Sequence, residues 1–230
     1  MSRTSLRIDI LTLFPKLVEG PLEESMVKQA KKRGAVEIYV HNLRDHAPDR
    51  HKTCDDKPFG GGAGMILMVQ PIYDCLQSIP KKGFRVLASP RGKVFDQQVA
   101  KRLARKRHLI FICGHYEGLD ERVHNHLVDE EISAGDFVTT GGELPTLLFV
   151  DAVIRLVPGV LGNQKSLESE SFGENLLDYP QYTRPRVFQG WKVPGPLISG
   201  NHAEVELWRK KERKWLTQKW RPDLLSANAM

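Results

Sequence analysis

Short β-branched runs alternate with helical stretches through the first two thirds of this 230-residue chain. That alternation limits the fold more than any other property of the sequence. Arg7 to Phe14 and Ala35 to Val40 read as strands, separated by a mainly helical stretch, Leu17 to Lys32, interrupted near Gly20 and Pro21. Helix Gln70 to Ser78 leads to strand Phe84 to Ala88, helix Asp96 to Arg107 to strand His108 to Ile112, and helix Leu119 to Leu127 toward Val128 to Ile132. Strands joined through helices run parallel, so the expected fold is an α/β domain whose mostly parallel sheet is covered on both faces. Ligands of such sheets gather at the strands' carboxyl ends.

Two glycine-bearing segments fall where such ends become loops: Cys113 to Val123, CGHYEGLDERV, and Gly135 to Pro145, GDFVTTGGELP. Glycine has no Cβ and takes positive φ readily, so main-chain N–H and C=O groups at Gly114, Gly118, Gly141 and Gly142 can line a pocket that side chains would fill. That pattern points to a small-molecule cofactor. It is not a dinucleotide fingerprint, since no Gly-x-Gly-x-x-Gly passes through Gly60, Gly61, Gly62 and Gly64. Nor is Gly159 to Ser166 a phosphate loop, because Asn163 and Gln164 separate Gly162 from Lys165. His124 and His126 lie on different sides of a helix, and His51 with Cys54 has no second ligand pair, so spacing suggests no metal site. Cys113 has no base identifiable beside it and reads as core packing.

A net charge of +6 makes an anionic partner plausible, with nucleic acid first. The excess sits in Lys101 to Arg107 and in Arg209, Lys210, Lys211, Arg213, Lys214, Lys219 and Arg221 near the C-terminus. No apolar run approaches the roughly 18 residues of a membrane span, the start lacks a signal-peptide pattern, and the three cysteines are odd in number and scattered. A cytoplasmic protein without a membrane partner is expected. Leu144 to Val157 is apolar nearly all round and predicts a helix buried in the domain or against another subunit. The polar, glycine-bearing stretch that follows marks a boundary, giving a domain over 1–160, a linker over 161–175 and a small helical domain over 176–230. In the last, Val205, Trp208, Trp215 and Leu216 form one predicted apolar stripe.

Taken together, the motifs resemble those of the bacterial tRNA (guanine-N1)-methyltransferases, knotted S-adenosylmethionine-dependent enzymes of the SPOUT class. The resemblance runs nearly end to end: LFP at Leu13 to Pro15, RHKTCDDKPFGGGAGM at Arg50 to Met65, SPRG at Ser89 to Gly92, the two glycine segments, PGVLG at Pro158 to Gly162, YTRP at Tyr182 to Pro185 and SGNHAE at Ser199 to Glu204. It implies a trefoil-knotted core, a homodimer with sites built by both subunits, and a bent methyl donor held mainly by main-chain groups. The implied donor-binding positions are Leu87, Ser89 and Pro90; Gly114, Tyr116, Glu117 and Gly118; Ala134, Gly135, Asp136, Phe137, Val138 and Thr139; and Gly141, Gly142 and Pro145. Glu117 also matches a position associated with Mg2+ dependence.

The reaction implied moves a methyl group onto N1 of the guanine immediately 3′ of the anticodon, so the partner is a tRNA anticodon stem-loop rather than DNA. Arg155 matches the arginine that stabilises charge developing on the purine. The base implied is an aspartate directly before Ser-Phe, and here Ser171-Phe172 follows Glu170. Glutamate keeps the carboxylate with one more methylene, about 1.5 Å of added reach. Glu170 is therefore the expected base, with Glu168 second. Two other classes compete: a non-catalytic RNA-binding protein on a knotted scaffold, and a nicotinamide oxidoreductase, which the missing fingerprint disfavours.

Overall fold

The computed structural model describes residues 5–161 and 170–226. The chain divides into two compact units, Met1–Gly162 and Asn163–Met230. Gly162 and Glu168, both singled out from sequence, lie outside the described residues.

The first unit runs β1 (Leu6–Thr12), α1 (Pro15–Leu22), α2 (Ser25–Lys32), β2 (Val36–Asn42), the short β3 (Asp55–Asp56) and β4 (Ile66–Leu67), and α3 (Val69–Ser78). It continues with β5 (Phe84–Val94), α4 (Gln97–Leu103), β6 (His108–Cys113), α5 (Glu121–His126), β7 (Glu130–Ser133) and α6 (Glu143–Ile154). Five strands form one sheet in the order β2-β1-β6-β5-β7, with every pairing parallel. Strand periodicity sorts the side chains. Ile8 and Ile10 face one buried cluster together with Val18, Ala30, Phe149 and Val153, whereas Leu11, Ile110 and Ile112 face a second with Ile72, Cys75 and Val123. Both faces are thus covered, as strands without a solvent side require. Among the described residues no helix is long and apolar enough to cross a membrane.

Two boundaries differ from expectation. α1 runs through Pro21 and stops at Leu22, because a proline in the last turn removes only one donor; Glu23 and Glu24 then close the turn by donating to the carbonyls of Gly20 and Pro21. β5 outlasts its predicted end at Ala88. Its register slips across Ser89 to Gly92, so both Ala88 and Lys93 pair with Ile132 of β7. Gly92 permits this: a Cβ there would stand 2.3 Å from the main chain of Glu131 and Ile132.

The second unit holds a hairpin, β8 (Val187–Phe188) with β9 (Trp191–Lys192), and the helix His202–Trp220. Asn201 caps that helix, its side-chain oxygen accepting from the N–H groups of Ala203 and Glu204. Three of the four residues of the expected stripe, Val205, Trp208 and Leu216, are part-buried on the packed face. Trp215 is half exposed, while Arg213 is buried, donating to the Leu177 carbonyl and to Glu174. The Arg213 stem supplies apolar packing while its head finds acceptors, so a cation joins the packed face and Trp215 turns away from it.

Candidate active site

The carboxyl end of β6 and the start of α6 meet at one point. The Gly142 N–H donates to the Gly114 carbonyl at 2.7 Å, and His115 bridges to Gly141. No side chain fits there, since a Cβ on Gly142 would lie 2.8 Å from the Gly114 nitrogen and 2.9 Å from the Cys113 Cα. Glu143 then opens α6 with a carboxylate only 2 % exposed. It accepts from the Thr12 hydroxyl at 2.7 Å, and that hydroxyl in turn accepts the Phe14 N–H at 2.9 Å. His115 Nδ1 stands 3.6 Å from the other carboxylate oxygen. One buried acid thus fastens the ends of β1 and β6 to the first turn of α6.

The chain reaches this junction by an indirect route. From β7 at the sheet edge it returns past the end of β5 to the end of β6, and the β5 bulge at Ser89 to Gly92 stands beside that path. Ser133 tightens the departure, its hydroxyl accepting from the Gly135 N–H at 3.1 Å. The Tyr116–Gly118 turn is held from the opposite side: Glu117 N–H donates to the Met65 carbonyl, and Leu67 N–H to the Gly118 carbonyl.

Between these turns lies a cavity of roughly 400 Å3. Of the positions named from sequence, Ser89, Pro90, Gly114, Tyr116, Glu117, Gly118, Ala134, Phe137, Val138, Thr139, Gly141, Gly142 and Pro145 line it. Leu87, Gly135 and Asp136 do not: Leu87 is fully buried in the core beneath, and Asp136 is exposed. The wall also takes in Arg91, His115 and Glu121, which the motifs spanned without pointing to them, and Ala88, His124 and Ser133, which lie just outside the motifs. For Ala88 the signal was the strand period, which turns residue 88 away from the core that Leu87 faces. Phe137, Val138 and Tyr116 are 58 %, 88 % and 42 % exposed. Apolar rings beside main-chain donors and acceptors suit a ligand that is part flat and apolar, part polar.

Acids and bases around the rim are largely paired. Hydrogen bonds from Arg91 hold Glu121 below the ordinary glutamate range, at 2.7 and 3.1 Å, although both side chains are more than half exposed and the pair adds little stability. Burial works to raise Glu131, but hydrogen bonds from Ser89 and His124 outweigh it and bring the group below its usual value. Burial pushes the Cys113 thiol far up, which fits packing and not nucleophilic work. Among the described residues no three His, Cys, Asp or Glu side chains cluster as metal ligands.

Arg155 ends α6 and is half buried. Glu170 belongs to the second unit, where it too is half buried and its carbonyl accepts from the Gly173 N–H at 3.1 Å.

Residues 6–227 match the family described as tRNA (Guanine-1)-methyltransferase TrmD. A protein named tRNA (guanine-N(1)-)-methyltransferase from Carboxydothermus hydrogenoformans is 52 % identical over 226 residues, covering 98 % of this chain and 89 % of that protein. Proteins of the same name from Geobacter sulfurreducens and Halalkalibacterium halodurans are 52 % and 48 % identical, over 96 % and 98 % of this chain and 91 % and 93 % of their own. With a match that extends across both units and includes every turn of the cavity wall, the chain belongs to the tRNA (guanine-1)-methyltransferase family.

Proposed function

We propose that this protein methylates N1 of the guanine immediately 3′ of the anticodon in tRNA, taking the methyl group from S-adenosylmethionine bound in the cavity at the β6 and α6 junction. The observation that carries the reading is the cavity itself, built from glycine turns and exposed apolar rings in a chain whose relatives bear the methyltransferase name. When bound, the donor supplies a methyl group on a positively charged sulfur. Main-chain groups of Gly114, Gly118 and Gly141 and the rings of Tyr116 and Phe137 hold and orient it, and Glu117 favours a cation nearby.

Guanine N1 carries a proton, which must leave as the new N–C bond forms. Glu170 takes that proton, and Arg155 stabilises the negative charge that builds on the purine oxygen. Neither group works alone. Both act only on a guanine that the substrate RNA presents, which couples proton removal to recognition of the correct tRNA. Where Mg2+ takes part, Glu117 is the residue that would hold it, and the ion would add positive charge near the developing anion.

The return of the chain from β7 to β6 past the β5 bulge supports a trefoil-knotted SPOUT core over residues 1–160, an exception to the rule against knots. Leu144 and Leu148 are 61 % and 49 % exposed on α6, and Phe137 and Val138, shortly before it in the chain, are exposed as well. An apolar face of that kind supports a homodimer with this surface covered. Residues 176–230 are read as the tRNA-binding domain, joined through 161–175, and the protein as cytoplasmic.

Methyl transfer to an unmodified tRNA transcript tests the reading: incorporation from labelled donor is expected, and none into the same transcript with that guanine replaced by adenine. Saturable donor binding without transfer favours the scaffold alternative. Gly142→Ala should overpack the junction by about 1–3 kcal/mol. If that strain falls on the bound state, calorimetry should show donor affinity lower by roughly 5- to 150-fold, since 1.4 kcal/mol is one decade; an unchanged affinity would separate the junction from the donor site.

A further inference from the structure

The second unit has a cavity of its own, roughly 420 Å3, that the chemistry above leaves unused. Its wall includes Tyr179, Tyr182, Arg184, Arg186 and Arg209 and no acidic residue. We propose that this cavity is a subsite for one unpaired nucleotide of the substrate RNA, its base stacked on Tyr182 and its phosphate held by Arg184 and Arg186. The inference rests on the tRNA reading and adds a recognition point remote from the methyl donor.

Two of the groups form the back of the site. Arg209 donates from Nη1 to Glu206 at 2.8 Å, and its guanidinium lies 4.7 Å above the Tyr179 ring, so both already have partners. The others are available. Tyr182 meets Trp208 at 6.3 Å and a tilt of 59°, yet keeps 50 % of its surface exposed, which leaves a ring face open to stacking. Arg184 and Arg186 are exposed and make no ion pair among the described residues. Gln181 and Thr183 add an amide and a hydroxyl that can both donate and accept, as a base edge requires.

Size selects among anions. A space of this volume lies in the range of about 300–1,000 Å3 that holds small ligands, which admits one extruded nucleotide and excludes a duplex. RNA recognition commonly works on such extruded bases, stacked on aromatic rings or guanidinium planes. Free phosphate would satisfy the arginines and leave the Tyr182 face without a partner.

The full-length protein is titrated with an anticodon stem-loop RNA over a range of salt concentrations, while donor affinity is followed separately by calorimetry. Tyr182→Ala should weaken RNA binding roughly 5- to 150-fold with Tyr182→Phe close to wild type, because stacking needs the ring and not the hydroxyl. Arg186→Gln, at an exposed position, should lower the salt slope by about 0.7–1. Donor affinity should stay put in all three. One abasic loop position should cost the wild type its affinity and leave Tyr182→Ala unaffected, which a folding defect would not reproduce. If both tyrosine variants bind alike, or every abasic position costs wild type and Tyr182→Ala equally, the subsite is wrong while the methyltransferase reading stands. If wild-type protein binds the stem-loop no better than an unrelated hairpin, the tRNA reading fails and this inference falls with it.

Discussion

Glu170→Gln should lower the single-turnover rate of methyl transfer by about 10²- to 10⁴-fold, the usual contribution of a positioned general base, with donor affinity changed by less than about twofold. The substitution keeps size and hydrogen-bonding shape and removes only the capacity to take a proton. Because guanine N1 is protonated before attack, a protein without a base must alkylate a poor nucleophile. Glu170→Asp should retain activity within roughly 10-fold, since it shortens the reach by one methylene, about 1.5 Å, and misplacement on that scale is felt without abolishing proton transfer. The pattern matters more than either number. Near-normal turnover in Glu170→Gln at saturating donor would remove the assignment and direct attention to Glu168. Equal losses in Gln and Asp variants, accompanied by weaker RNA binding, would make the residue a contact for RNA and not a base.

The alternation of elements was legible because each β-branched run in the first unit ends at a polar or glycine-bearing stretch, and local pattern and tertiary packing agree there. Agreement fails at β5. Ser89 to Gly92 reads as a loop because it is polar, yet the strand resumes beyond it and pairs again with Ile132, an arrangement that only the missing Cβ of Gly92 permits. Sequence pattern records hydrophobic period and does not record how closely two backbones approach. The second unit fails differently. Trp215 falls in the predicted stripe yet is half exposed, whereas Arg213 is buried because the Leu177 carbonyl and Glu174 satisfy its charge. Those partners lie 36 and 39 residues away, beyond any local window.

At the cavity, most of the positions named from the motifs line the wall, while Leu87, Gly135 and Asp136 do not. Leu87 and Ala88 differ only by strand parity, and the motif did not carry parity. Glu143 was the larger omission. An acid in the first turn of an apolar helix reads as a favourable dipole contact worth a few tenths of a kcal/mol. Its burial and its bond to Thr12, 131 residues earlier, make it instead the fastening between three elements of the site wall.

A second buried acid went unread for the same reason, and it carries the largest expected effect on stability. Asp9 lies in the middle of β1 with no exposed surface. Arg7 grips it through two bonds, at 2.7 and 2.9 Å, while His41 from β2 and His108 from β6 approach at 2.6 and 2.7 Å. A carboxylate only accepts, so each imidazole presents its Nε2–H. Burial alone would raise the Asp9 pKa; the bonds from Arg7, His41 and His108 outweigh it and hold the group far below its ordinary 3.8. Asp9→Asn leaves a part-buried guanidinium facing a neutral amide that cannot satisfy all of these donors. Removing one partner of a buried pair costs about 3–5 kcal/mol, and the lower figure applies because the Arg7 and His41 side chains are still 20 % and 22 % exposed. A loss of about 3 kcal/mol should lower the melting temperature by roughly 6–12 °C. The probe must report the first unit. All four tryptophans lie at residue 191 or beyond, so helix and strand dichroism is the better signal than fluorescence. Because the native pKa is depressed, this stabilisation is fully present above pH 3.8 and disappears as the pH falls through the native value, so the gap between wild type and Asp9→Asn should narrow on acidification below about 3.8. A gap that stays constant through that range would show that asparagine destabilises by shape, and that the charge at the centre of the sheet contributes nothing.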